Sequence, residues 1–181
     1  MLSQETYKKI DRELAKYPAD QRQSAVMASL AHAQVELGWL SPETMQEIAD
    51  YIRMPAIAVQ EVATFYNMYN LKPVGKAKIT VCTNLPCALS GGERAGQYLK
   101  DKLGIGYKDT SHDGQFTLVE GECMGACGDA PVMLVNNHRM CSFMSDEKID
   151  ALLEERDALH AHAGVDVLLG QLADDRELGL R

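Results

Sequence analysis

The chain has 181 residues, with 26 acidic and 18 basic side chains and a formal net charge of −8. Hydrophobic residues make up 46% of it and charged residues 24%, which is typical of a folded soluble protein. The acidic excess argues against a surface for nucleic-acid phosphates or anionic lipids, because both attract clustered lysine and arginine. No apolar run approaches the roughly 20 residues that cross a bilayer, and the first residues lack a secretory pattern. We therefore expect membrane association only through partners.

Five cysteines are present. An odd number without a secretory signal is typical of a reducing compartment rather than of a disulfide framework. Clustered cysteines in such a compartment are more often metal ligands or redox groups than structural cross-links.

Residues 1–72 show helical periodicity throughout, which predicts an N-terminal helical bundle. Pro18 is expected to stop the first helix, and Asp20 is a candidate cap for the second, which would end at Gly38. Ser41 and Pro42 are suited to the N-cap and first position of a third helix. A fourth helix is expected from Pro55.

The pattern changes near Lys72–Lys76, and residues 76–159 predict a small mixed domain. We expect strands at 78–82 and 116–119, a helix at 92–103, a hairpin over 132–141 that turns at Asn136 and Asn137, and a last helix capped by Ser145. Residues 160–181 are predicted to be a C-terminal tail. The fold class is therefore α+β.

Four of the cysteines form two pairs, Cys82 with Cys87 and Cys123 with Cys127, and 35 residues lie between the pairs. Each pair follows a predicted strand, so the two loops could face each other at one edge of a sheet. Thiolates that converge need a cation between them, because bare thiolates repel. A zinc ion and an iron–sulfur cluster both fit this pattern.

Glycines beside the cysteines favour the cluster, since they let backbone N–H groups approach the sulfurs. Thioredoxin-type thiol exchange is disfavoured, because neither pair has the C-x-x-C spacing. Cys141 stands alone and is expected to be a small buried hydrophobe. The five histidines form no ligand pattern with the cysteines.

Two segments of the sequence resemble a known family. Residues 81–87, VCTNLPC, and residues 122–131, ECMGACGDAP, resemble the signature of the E subunit of bacterial complex I, the NADH:quinone oxidoreductase. Residues 61–66 and 73–76 are similar to the helix-to-strand junction of that family. The resemblance extends over roughly residues 5–158.

The resemblance implies a helical bundle followed by a thioredoxin-like domain that binds one 2Fe–2S cluster through Cys82, Cys87, Cys123 and Cys127. It also implies a partner subunit that binds FMN and NADH, and a peripheral position on the cytoplasmic side of the inner membrane. Similar subunits serve NAD-reducing hydrogenases and NAD-dependent formate dehydrogenases. The chain has no dinucleotide fingerprint of its own, so we expect it to be inactive with NADH alone. A cis Ala130–Pro131 bond is compatible with a thioredoxin-like fold.

Overall fold

The computed structural model describes residues 1–155, which divide into two compact units, residues 1–73 and residues 74–155. Each unit has its own buried apolar cluster. The predicted tail at 160–181 and the last residues of the predicted second domain lie outside the described residues.

The first unit is a bundle of α-helices. Its helices are α1 (Gln4–Leu14), α2 (Val26–Leu37), α3 (Pro42–Ile52) and α4 (Ala56–Phe65). Each amphipathic helix contributes an apolar stripe to a shared core. The most deeply buried side chains in this core are Ile10, Leu30, Leu40, Ile48, Ile52 and Val59. The predicted helical bundle is confirmed.

Local capping explains where several of these helices begin and end. The Ser41 hydroxyl accepts a hydrogen bond from the Thr44 N–H at 3.1 Å, as the predicted N-cap of α3. Gly38 ends α2 with a φ of 80°, a conformation that glycine adopts without steric cost. The expected cap at Asp20 is wrong, because a 3₁₀ turn over Arg22–Ala25 comes first and α2 begins only at Val26.

The second unit is a four-stranded sheet with helices packed on it. Its elements are β1 (Ala77–Cys82), α5 (Leu85–Leu89), α6 (Gly92–Leu103), β2 (Phe116–Gly121), β3 (Met133–Val135), β4 (Arg139–Cys141) and α7 (Asp146–Glu154). The strand order is β2-β1-β3-β4. Strands β1 and β2 are parallel, and the other two pairings are antiparallel.

The core of this unit lies between the sheet and helices α6 and α7. Ile79 and Leu118 of the central strands are fully buried with Leu99 of α6 and Ile149 of α7. The hairpin between β3 and β4 turns at Asn136 and Asn137, with φ values of 52° and 58°, as predicted. The mixed α+β fold is confirmed.

Candidate functional site

The pairing of β1 with β2 decides where the cysteine loops meet. The two strands are parallel and in register, with Cys82 beside Gly121 at their ends. The chain therefore leaves both strands at the same edge of the sheet. The loop after β1 contains Cys87, and the loop after β2 contains Cys123 and Cys127.

The segment that follows β1 contains a short helix where an irregular loop was expected. The segment expected to be a loop instead contains the short helix α5, because the Asn84 side chain accepts a hydrogen bond from the Leu85 N–H at 3.0 Å and Pro86 suits a first turn. Cys87 lies on the inner face of this helix and is 1% exposed, and Cys82 is 2% exposed. The helix therefore turns the second thiol of the pair towards the first.

The second loop holds its two thiols at the surface. Cys123 and Cys127 are exposed, and their Sγ atoms are 3.8 Å apart. Gly125 has a φ of 74°, and its N–H donates a hydrogen bond to the Cys123 Sγ at 3.4 Å. This bond is the backbone approach to sulfur that the glycines predicted, and a φ of this sign is costly for residues other than glycine.

The thiols of the two loops influence one another. Burial raises the pKa of the Cys87 thiol, an N–H of Val132 lowers it, and the neighbouring Cys82 and Cys127 thiols raise it further. The pKa of Cys127 is raised by its hydrogen bond with Cys123 and by the charge of Cys123, with smaller contributions that include Cys82. If all four groups ionise, as metal ligands do, their mutual repulsion requires positive charge at this edge, which metal ions would supply.

The geometry of the exposed pair fits a shared metal ion. A tetrahedral ion with metal–sulfur bonds of about 2.3 Å, as zinc has, holds two thiolates about 3.8 Å apart, which matches Cys123 and Cys127. Among residues 1–155, no three histidine, cysteine, aspartate or glutamate side chains surround one metal-ion position. The spacing of the exposed pair is therefore that of two ligands of one metal ion.

The loops are also fastened to each other. The Thr83 N–H donates to the Gly121 carbonyl at 3.2 Å, and the Thr83 hydroxyl donates to Glu120 at 3.0 Å. The Cys82 N–H donates to the Val132 carbonyl at 3.2 Å, and the Ala130–Pro131 bond just before Val132 is cis. Apolar groups of Val132, Met124, Ala126 and Ala130 pack around the buried pair.

Gly92 allows a close backbone contact at the site that the sequence did not predict. A Cβ atom at Gly92 would lie 2.7 Å from the Cys82 carbonyl oxygen and 2.8 Å from that of Cys87. The bare backbone of Gly92 therefore lets the first turn of α6 pack directly against the first cysteine pair. The only signal in the sequence was a glycine doublet after Cys87.

Cys141 takes no part in this arrangement. It lies at the end of β4 in the core of the second unit and is 8% exposed. Burial raises the pKa of its thiol. The prediction that Cys141 is a small buried hydrophobe is confirmed.

Comparison with known proteins shows the family to which the chain belongs. The family described as thioredoxin-like [2Fe-2S] ferredoxin matches residues 10–157. The chain belongs to this family. Among its relatives is the E subunit of the NADH-quinone oxidoreductase of Rickettsia bellii, 40% identical over 143 residues that cover 78% of this chain and 85% of the relative. Another comes from the NADH-quinone oxidoreductase of Thermus thermophilus, where it is numbered as the second subunit, and is 38% identical over 80% of each chain. The predicted resemblance to the E-subunit family is thus confirmed.

A solved structure of an NAD⁺-reducing [NiFe]-hydrogenase has a similar fold. It matches 76% of this thioredoxin-like ferredoxin chain with a TM-score of 0.64 and 21% identity. This chain spans about a quarter of the hydrogenase chain, 24%.

No helix within residues 1–155 is long and apolar enough to cross a membrane.

Proposed function

We propose that this chain is the 2Fe–2S electron-transfer subunit of the NADH-dehydrogenase module of a respiratory complex I. Its cluster would be bound by Cys82, Cys87, Cys123 and Cys127. The observation that carries the proposal is the meeting of two cysteine loops at one sheet edge, in a chain of the 2Fe–2S thioredoxin-like family. When bound, the cluster supplies a centre that accepts and releases one electron at a time.

Each cysteine pair would hold one iron. The 3.8 Å separation of the Cys123 and Cys127 sulfurs supports this for the exposed pair. Cys82 and Cys87 share the buried side of the site, where the thiol of Cys82 acts on the pKa of Cys87. One iron would therefore be buried and the other would lie near the surface.

The protein's own groups would stabilise the negative charge of such a cluster. The Gly125 N–H already points to the Cys123 sulfur, and an N–H of Val132 favours the ionised form of Cys87. The buried pair lies among apolar side chains, which keep water away from that side. Burial and N–H···S bonds are the two means by which proteins tune the potential of such a centre.

The electron donor would be the FMN of a partner subunit that also binds NADH. Through that partner the chain would join the other complex I subunits and lie on the cytoplasmic side of the inner membrane. The related role in an NAD-reducing hydrogenase is the second candidate, and the fold likeness to such a hydrogenase supports it. Relatives near 40% identity over about four fifths of the chain carry the NADH-quinone oxidoreductase name, which favours the first role.

The ligand assignment is tested by replacing each cysteine with serine. We expect each of Cys82→Ser, Cys87→Ser, Cys123→Ser and Cys127→Ser to lose or destabilise the cluster, because serine is a harder ligand than a thiolate. Cys141→Ser is the matched control and should keep the visible spectrum of the original protein. Iron and acid-labile sulfide are measured per chain. Full cluster content in a ligand variant, or cluster loss in the control, contradicts the assignment.

The functional role is tested with NADH under anaerobic conditions. Hydride transfer moves two electrons together, whereas the cluster accepts one, so NADH alone should not bleach the visible band. Bleaching is expected once the flavin-bearing subunit is added. Rapid bleaching without any flavoprotein would overturn the role. A colourless protein that retains stoichiometric zinc would establish the structural zinc module instead.

A further inference from the structure

Large apolar side chains stand exposed on both sides of the cysteine site. Leu85 and Leu89 of α5 are 68% and 81% exposed, and Phe143 is 55% exposed. The two leucines are four residues apart and so lie on the same face of their helix, while Cys87 between them is buried. Helix α5 therefore presents its thiol to the interior of the site and its leucines to the outside.

Phe143 lies beside the second cysteine loop. Its N–H donates to the Asp129 carbonyl at 2.8 Å, and the Met144 N–H donates to the Pro131 carbonyl at 3.0 Å. These bonds hold Phe143 at a φ of 52°. A bulky residue is uncommon in this left-handed region, where glycine and asparagine are favoured.

The strained backbone at Phe143 is not offset by burial of its side chain. The ring is more than half exposed, and its described partner is the Lys148 Nζ, 5.7 Å from the ring centre. Backbone strain that persists at an exposed side chain is characteristic of functional positions. An aromatic group displayed at the surface in this way is suited to contact another molecule.

The charges around Leu85, Leu89 and Phe143 indicate the charge of the molecule that could bind there. Residues 82–92 and 120–130 contain three carboxylates, Glu120, Glu122 and Asp129, and no lysine or arginine. Thr83 and Asn84 donate hydrogen bonds to Glu120 and Glu122 at 3.0 and 3.3 Å, which holds both carboxylates at the site. Lys148 adds one positive charge beside Phe143, so the surface is apolar with a mainly acidic border. A second copy of this chain would bring like charges together, whereas a partner with basic groups around an apolar surface would complement it.

We propose that Leu85, Leu89 and Phe143 are the apolar anchors by which this chain docks onto its flavin-bearing partner, whose facing surface is apolar with a basic border. The proposal rests on the function proposed above. Cys123 and Cys127 are exposed, and Asp129, two residues after Cys127, accepts the Phe143 N–H, so a donor docked at the anchors would lie near the exposed sulfurs. Docking at the anchors would also shield the exposed sulfurs from water.

The test uses the full-length, cluster-loaded chain and the purified FMN-containing subunit. Leu89→Ser removes an exposed anchor, and Leu89→Met is the matched control that keeps its apolar character. We expect Leu89→Ser to weaken binding roughly ten- to hundredfold, as loss of one buried leucine-sized contact does. Leu89→Met should bind within about threefold of the original chain. All variants are checked for unchanged cluster content.

Phe143→Asn separates docking from folding. Asparagine tolerates the backbone conformation at this position, so the variant should unfold at a temperature equal to or higher than that of the original chain. It should nevertheless bind the flavin subunit at least tenfold more weakly and need a higher concentration of that subunit for NADH-dependent bleaching. A purely structural role for Phe143 would change stability and leave binding unaltered.

The outcomes distinguish this proposal from the function on which it rests. If the flavin subunit and NADH fail to reduce the cluster of the original chain, the proposed function fails. If reduction occurs but Leu89→Ser and Phe143→Asn bind the flavin subunit as tightly as the original chain, the docking surface is wrong. Self-association that these variants abolish, with unchanged binding to the flavin subunit, would assign the surface to a second copy and also overturn the proposal.

Discussion

Replacing Gly92 with alanine tests whether close backbone packing holds the first cysteine pair in place. The new Cβ would meet the Cys82 and Cys87 carbonyl oxygens at 2.7 and 2.8 Å, whereas ordinary contacts begin at 3.4 Å. Helix α6 or the cysteine backbone would have to move by about 0.7 Å, and overpacking of this kind costs about 1–3 kcal/mol. The better helix propensity of alanine offsets at most about 1 kcal/mol of this cost.

A movement of that size displaces both ligands of the buried pair. We therefore expect Gly92→Ala to bind less iron and sulfide per chain, to lose its cluster faster to a chelator, and to unfold at a temperature several degrees lower. Gly128→Ala is the matched control, because it lies next to Cys127 but a Cβ there has no heavy atom within 4 Å. It should behave like the original chain. Equal cluster content and equal chelator resistance in the two variants would refute the packing argument.

Two further predictions concern charge. The cluster should have a reduction potential well below zero, on the order of a few hundred millivolts, because its four thiolates lie in loops that contain three carboxylates and no basic residue. The potential is measured by redox titration followed by EPR. A positive midpoint would contradict all-cysteine ligation. Burial in β1 lowers the pKa of Lys78 from 10.5 to about 8. Because the folded protein must protonate this buried amine below pH 8, the free energy of unfolding is lowest there. It should rise between pH 8 and pH 10.5 by about 3 kcal/mol. The rise, measured by thermal unfolding of the cluster-loaded protein, should be absent in Lys78→Met, and an identical pH profile in the two proteins would show that Lys78 is not the group responsible.

Many local features of the structure could be predicted because they depend on residues that are close in the chain. Ser41 followed by Pro42 begins α3, Gly38 ends α2, and the two asparagines turn the last hairpin. Each case needs only a nearby hydrogen bond or a backbone conformation that the residue itself favours. The spacing of the four cysteines and the glycines around them likewise indicated a metal or cluster site before any fold was known.

Two of the sequence-based expectations are wrong, in segments where two local tendencies compete. Asp20 is a good helix cap, but the chain makes a 3₁₀ turn first and α2 begins at Val26. The segment between Cys82 and Cys87 is expected to be a loop, but Asn84 caps a helix there and Pro86 suits its first turn. Tertiary packing selects the helical alternative here, because helix α5 is what buries the Cys87 thiol.

By itself, then, the sequence determined most of the elements, the family resemblance and which cysteines are paired along the chain. Only the tertiary structure brought the two cysteine loops to one edge of the sheet, through the parallel register that sets Cys82 beside Gly121 although they are far apart in the sequence. It also decided that Gly92 must lack a side chain and that Phe143 remains exposed in a left-handed conformation. Those properties depend on which distant backbone lies within a few ångströms, and such contacts leave no periodic pattern in the sequence.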